Sequence, residues 1–564
     1  MNTSLSTFGA LKASGYQPKT IKSELRDNLI LNIQAGKNSF PGMHGYEQTV
    51  IPQLERAILS KHNINLLGLR GQGKTRIARL MVNLLDEYIP YVSGSEMNDD
   101  PFHPISRYAR DLIAEKGDDT PISWLHRSER FFEKLATPDV TIADLIGDID
   151  PIKAANLKLS YADDRVIHFG MIPRANRCLF VINELPDLQA RIQVALFNML
   201  EEGDVQIRGF KLRLPLDVHF VFTANPEDYT NRGSIVTPLK DRIGSQILTH
   251  YAPTIEIAKQ ITQQESAHLD QRLCTVHVPE LAKDILEQIA FEARESEYID
   301  QKSGVSARMS ITAYENLIST AERRALMNNE TETTVRYSDL LGMIPSLTGK
   351  MELVYEGEQE GPYQVSVNLL ERSIRTVFTR YFPDPEGFKK KRNKEAVVES
   401  PYKTVSQWFD LGNHINMLFH LKDTDRVKLL NTVVGLAELA GAVLDDPRVT
   451  ALGLYVEGID DAAAFAALCR AGRALASDHA RCFGCDDYFA HDHGCRGRQF
   501  RHHDHAAQRY DCGDPAACKT ATPADRPQSA GAGHRADAAL YPHHAGAQPN
   551  HPRKLAGARG PPAA

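Results

Sequence analysis

The sequence predicts an α/β protein with a parallel sheet built around a phosphate-binding loop, and three stretches carry that prediction. Gly68-Leu-Arg-Gly-Gln-Gly-Lys-Thr75 matches G-x-x-x-x-G-K-[ST] at every fixed position. Leu179-Phe-Val-Ile182 is a continuous apolar run that ends in the polar pair Asn183 and Glu184. Val218-His-Phe-Val-Phe-Thr-Ala-Asn-Pro226 reads as another buried strand, ending in Asn225. Such runs suit parallel strands covered on both faces, whose carboxyl ends lie on the ligand side of the sheet.

The flanks of the loop agree with it. Ile64-Asn-Leu-Leu67 precedes it as a strand, and Arg76 to Leu85 follows with apolar residues at helical spacing. Strand, glycine loop and helix are the order that phosphate binding needs, because the glycines turn backbone N–H groups inward and the helix N-terminus adds a favourable dipole. The expected nucleotide contacts are therefore Gly68, Leu69, Arg70, Gly71, Gln72, Gly73, Lys74 and Thr75. Lys74 is expected to reach the β- and γ-phosphates, and Thr75 to place its hydroxyl on Mg²⁺.

The strand ends add further chemistry. Glu184 is positioned to orient and polarise an attacking water. Asn183 occupies the place where a magnesium site would use an aspartate; its amide oxygen accepts from a metal-bound water but brings no negative charge. Two readings stay open: Mg²⁺ is held mainly by the nucleotide phosphates and Thr75, or the site binds nucleotide better than it hydrolyses it. Asn225 is placed to touch the γ-phosphate or the water. Thr237-Pro-Leu-Lys-Asp-Arg-Ile-Gly244 puts Arg242 in a loop after a strand, and Ser303-Gly-Val-Ser-Ala-Arg-Met309 opens an amphipathic helix and offers Arg308.

Composition bounds the alternatives. A chain of 564 residues is long enough for two to four domains. A net charge of -7 and a pI near 6.3 disfavour nucleic acid as a partner. No apolar run approaches the ~20 residues of a membrane span, and the first residues lack a secretory pattern, so a soluble cytoplasmic protein is expected.

These residues resemble those of the AAA+ ATPases, and within them the MoxR and magnesium-chelatase ATPase-subunit group, from about Phe40 to Gly349. The resemblance rests on the loop at Gly68 to Thr75, the Walker B-like Val181-Ile-Asn-Glu184, the sensor 1 position at Asn225, the arginine-finger segment around Arg242 and the sensor 2 position at Arg308. Asp144 to Asp150 through Met171 to Arg174 is similar to that group's helix-2 insert. Gly203 to Arg213 is similar to its hairpin before sensor 1, a hairpin that alternation around Gly209 also predicts. The departure is Asn183, where such ATPases carry aspartate.

The resemblance implies ATP and Mg²⁺ as cofactors and a ring oligomer, expected as a hexamer, with ATP at subunit interfaces. Glu184 would activate water, Arg242 would reach across from a neighbouring subunit, and Arg308 would report nucleotide state to a helical lid. Partners bearing a von Willebrand factor A domain are common in that group. The domains expected are an N-terminal segment (1–39), an α/β nucleotide-binding domain (40–250), a helical lid (251–350), a mostly helical C-terminal region (351–459) and a tail (460–564).

The tail is compositionally distinct. From Asp460 onward there is no Val, Ile, Met or Glu, while Ala, Arg, Gly, Pro and His accumulate. It cannot bury enough apolar surface to offset its ordering entropy and is expected to be disordered. Cys482, Cys485, His491, His493 and Cys495 have zinc-ligand chemistry but no second pair of matching spacing. An out-of-frame, GC-rich origin accounts better for the composition.

Upstream of the tail, Lys389 to Lys394 reads as a solvated basic linker, and Val365 to Phe378 and Val427 to Ala440 have helical spacing. Three function classes remain: an ATP-driven remodelling or metal-insertion chaperone, a DNA-directed motor, and a nucleotide-regulated scaffold that barely hydrolyses. The first is favoured. The GAFTGA loop of enhancer-binding activators is absent.

Overall fold

The computed structural model describes residues 3–159, 164–207, 213–226, 234–266, 274–382, 402–416, 418 and 420–439. Five strands form its central sheet: β1 (Ile64–Leu67), β2 (Phe131–Leu135), β3 (Cys178–Asn183), β4 (Val218–Ala224) and β5 (Ser245–Leu248). Their order is β5-β1-β4-β3-β2 and every pairing is parallel. β1 and β4 therefore lie side by side in the middle, with Leu67 opposite Ala224, so the loop leaving β1 meets the end of β4.

Alternation along β3 explains why its sequence is apolar throughout. Cys178, Phe180 and Ile182 join one core, while Leu179 and Val181 join the core on the opposite face. The second of these cores is covered by α1 (Ile21–Gln34), α2 (Val50–Leu59) and α3 (Lys74–Leu80). Thr20 caps α1 by accepting from the Ser23 N–H. Although α1 precedes residue 40, its Ile21, Leu25 and Leu29 are buried in the same cluster as Ile64 and Leu66 of β1.

α3 is shorter than the periodicity from Arg76 to Leu85 suggests; it passes at Met81 into a 3₁₀ turn ending at Leu84. Of the two insert-like segments, Gly147–Ile149 pairs antiparallel with Ile167–Phe169, and Asp204–Gln206 pairs antiparallel with Arg213–Pro215. The expected hairpin is thus present at its base, and Gly209 lies outside the described residues.

After β5, α5 (Ile255–Glu265), α6 (Glu280–Glu295) and α7 (Ala307–Met327) form a helical body, preceded on the sheet side by α4 (Thr237–Arg242). Within that body Thr275–His277 and Glu332–Thr334 pair in parallel. Its core continues past residue 350: Val365, Leu369, Ile374 and Phe378 of α8 (Pro362–Tyr381) pack in one cluster with Ile285, Ile289, Leu317 and Met343. Arg324 and Asp339, both fully buried, pair at 2.9 Å inside it.

Of the stretch expected as one helix over Val427 to Ala440, the part up to Leu430 belongs to a helix over Asp423–Leu430 and residues 436–439 are helical again, with Gly435, at a positive φ of 88°, in the break between them. No helix among the described residues is long and apolar enough to cross a membrane. The basic segment at Lys389 and the cysteines and histidines of the tail lie outside the described residues.

Candidate nucleotide site

The phosphate loop joins β1 to α3, and its shape depends on glycine. Gly71 and Gly73 have φ of 72° and 73°, in the left-handed region. A Cβ on Gly71 would lie 2.0 Å from Ser306 Oγ, and one on Gly68 would lie 2.0 Å from Thr249 Oγ1. The loop is therefore packed on one side by Thr249, just after β5, and on another by Ser306, the N-cap of α7.

Residues distant in sequence fix the rest of the loop. The Tyr46 hydroxyl lies 2.8 Å from the Gln72 carbonyl and 2.7 Å from the His250 carbonyl, and burial pushes its pKa up to about 12. Thr249 donates to Gln72 Oε1 at 2.7 Å. Arg70 pairs with Glu352, in the segment between α7 and α8, and its carbonyl accepts from the Tyr251 hydroxyl at 2.9 Å. Nothing in the local pattern around Tyr46, Thr249 or Glu352 marks them as loop contacts; only the fold brings them there.

Lys74 donates to the carbonyls of Gly68 and Leu69 and, at 2.7 Å, to Asn225 Oδ1. Two expected residues, one from the loop and one from the end of β4, are thus in direct contact. Thr75 follows at the first turn of α3.

Asn183 ends β3 between two neighbours. Its Nδ2 donates to Glu133 Oε1 at 2.6 Å, and its Oδ1 accepts from Thr223 Oγ1 at 3.1 Å. Glu133 lies on β2, opposite Val181, and its other carboxylate oxygen accepts from Arg79 of α3 at 2.8 Å. The next residue, Glu184, has a φ of 57°, a left-handed conformation unusual for a side-chain-bearing residue, and its N–H donates to Thr223 Oγ1 at 3.1 Å. This turn takes Glu184 out of the strand, half-buried at the strand end.

The structure corrects the placement of Arg242. It ends α4 rather than sitting in a loop, because Pro238 pre-sets φ at the first turn of a short helix. Its Nε donates to Glu201 at 2.8 Å and its guanidinium lies 4.8 Å over the Phe197 ring. Those partners, both in the short helix before the hairpin, are not part of the phosphate loop. Arg308 is exposed on the first turn of α7, two residues after the Ser306 that abuts Gly71.

The chemistry of this donor set fits a nucleoside triphosphate with a divalent cation. Two left-handed glycines open the loop, a lysine and a helix N-terminus supply positive potential, and the Thr75 hydroxyl and Asn183 amide are oxygen donors of the type Mg²⁺ prefers. Among the described residues no group of three or more His, Cys, Asp or Glu side chains could hold a metal by itself.

Strand order and loop together define an α/β core with a parallel sheet and a P-loop between β1 and α3. No protein-family profile matches the chain, and no curated protein does. Among solved structures, similarity reaches a Cytophaga hutchinsonii protein assigned as an ATPase, at 18% identity and a TM-score of 0.26, covering 64% of this chain and 97% of that one. Brucella abortus NtrX in complex with ATP is 14% identical with a TM-score of 0.31, covering 48% of each chain. A Thermotoga maritima RuvB variant is 11% identical with a TM-score of 0.30, covering 73% of this chain and 98% of that one.

Proposed function

We propose that the protein binds ATP with Mg²⁺, hydrolyses it, and acts as a ring oligomer of MoxR or magnesium-chelatase type that remodels, or inserts metal into, a partner protein. The observation that carries this reading is the 2.7 Å contact between Lys74 Nζ and Asn225 Oδ1. It joins the phosphate loop to the strand end beside Glu184, so the groups that would hold a γ-phosphate and the group that would prepare water for attack share one corner of the sheet.

In this reading the Lys74 ammonium offsets phosphate charge, and the Glu184 carboxylate accepts a proton from the attacking water. Asn225 orients that water. Mg²⁺, when bound, neutralises charge on the β- and γ-phosphate oxygens. Arg242 serves the site of a neighbouring subunit, and Arg308, at the start of α7, links nucleotide state to the helical body. A protein with a von Willebrand factor A domain is the partner expected to receive that motion.

Steady-state ATP hydrolysis tests the proposal. Glu184→Gln is expected to lower turnover by at least a hundredfold while ATP still binds, and Lys74→Ala to abolish binding. Unchanged turnover in Glu184→Gln would refute it. One observation favours a second reading, a nucleotide-regulated scaffold: both ends of the Asn183 amide are engaged by protein groups. ATP binding without turnover in the parent would select that reading.

A further inference from the structure

Position 183 lacks a carboxylate, yet one touches it. Glu133 Oε1 accepts from Asn183 Nδ2 at 2.6 Å, from a neighbouring strand and on the same face of the sheet. A carboxylate only accepts, so this contact fixes which end of the amide is which. Nδ2 faces β2, and Oδ1 faces Thr223 on β4, the strand that lies between β3 and the loop-bearing β1. The amide oxygen, the part able to serve a cation or its water, is thereby turned toward β4, on the side of β3 where the loop-bearing β1 lies.

The remaining oxygen of Glu133 holds Arg79 at 2.8 Å, and Arg79 is one helical turn beyond Thr75 on α3. Glu133 therefore spans Asn183 and the helix that carries Thr75. An Arg79 pairing alone would not explain this, because the Arg79 side chain is 64% exposed and such a pair contributes little.

We infer that Glu133 is the positioning residue of the divalent-cation site: it supplies from β2 the negative charge that β3 lacks and orients the Asn183 oxygen toward the cation. The inference rests on the nucleotide-binding reading above. Groups that orient a ligand and add charge behind it commonly tune metal affinity by ten- to a hundredfold.

A charge swap tests it by calorimetric titration of ATP in excess Mg²⁺ and in EDTA. Glu133→Gln keeps an acceptor for Asn183 but loses the charge. It is expected to weaken binding of Mg²⁺–ATP at least fivefold and leave metal-free ATP binding within twofold of the parent. Adding Asn183→Asp to Glu133→Gln returns a carboxylate and an amide in exchanged positions, and is expected to restore the Mg²⁺ enhancement. An unchanged ratio of the two affinities in Glu133→Gln, an equal loss in both, or no recovery in the double variant would overturn the inference while leaving ATP binding established. A parent that binds ATP under neither condition would overturn the nucleotide-binding reading, and the inference with it.

Discussion

Glu24 on α1 and Arg130 immediately before β2 form a two-pronged ion pair at 2.6 and 2.7 Å, with both side chains buried. Arg130 also donates to the Arg177 carbonyl, and Glu24 accepts from the Asp86 N–H at 2.6 Å. A helix at the N-terminal end of the chain is thereby locked to the edge of the sheet.

Removing one member leaves the other charged in a low-dielectric interior. Glu24→Ala is expected to lower stability by about 3–5 kcal/mol, read as a shift of the urea midpoint with an unchanged slope. The paired replacement Glu24→Leu with Arg130→Met is expected to recover much of that loss. A Glu24→Ala midpoint equal to the parent's would show that the pair contributes nothing.

His219, in β4, predicts a pH dependence. It is 1% exposed, and neither ring nitrogen has a hydrogen-bond partner among the described residues. Burial, with a smaller contribution from the Lys22 charge, pushes its pKa down from 6.5 to about 3. Between those values the unfolded chain binds a proton that the folded chain refuses, so stability is lost as pH falls through that window, by up to about 1.4 kcal/mol per unit. His219→Leu is expected to flatten this acid limb in thermal melts between pH 7 and 5. Identical slopes for the two proteins would remove His219 as the cause.

Gly71→Ala tests the contact between loop and helical body. The added methyl meets Ser306 Oγ at 2.0 Å and the Ala307 backbone nitrogen at 2.9 Å, at a backbone φ of 72°. Nucleotide affinity, followed with a fluorescent ATP analogue, is expected to fall at least tenfold, with far-ultraviolet circular dichroism unchanged. Retained affinity would mean that the loop yields to the methyl without losing its binding geometry.

The proposed reach of Arg242 into a neighbour is tested by mixing. Subunits carrying Arg242→Ala and subunits carrying Glu184→Gln are each expected to be inactive alone and to regain part of the ATP turnover together, since some interfaces then hold both groups. No recovery across mixing ratios would refute the role in trans.

The parts legible in the sequence share one property: their constraints are local. The loop is fixed by spacing, and β3 and β4 announce themselves because residues of both parities are buried. β2 escapes notice because Phe131-Phe-Glu-Lys-Leu135 is an edge strand with one neighbour, and its Glu133 gains meaning only through register with β3. Tyr46, Thr249 and Ser306 contact the loop across long stretches of chain, and single hydroxyl groups leave no periodic trace. Arg324 and Asp339 look like solvated charges until the fold buries both. The continuity of the core past residue 350 was equally hidden, since helical spacing says which face of α8 is apolar but not what covers it.

The contact between Ser306 and Gly71 couples the phosphate loop to the helical body. The helical body is attached through the chain that leaves β5, where Tyr251 binds the Arg70 carbonyl, and it also rests on the loop at Ser306. These are two separate attachments of the helical body to the loop. The absence of a side chain at Gly71 is what lets Ser306 and the Ala307 backbone nitrogen approach the loop this closely. The Arg70–Glu352 ion pair is a further tie between the two, so the shape of the loop and the seating of the helical body are set together.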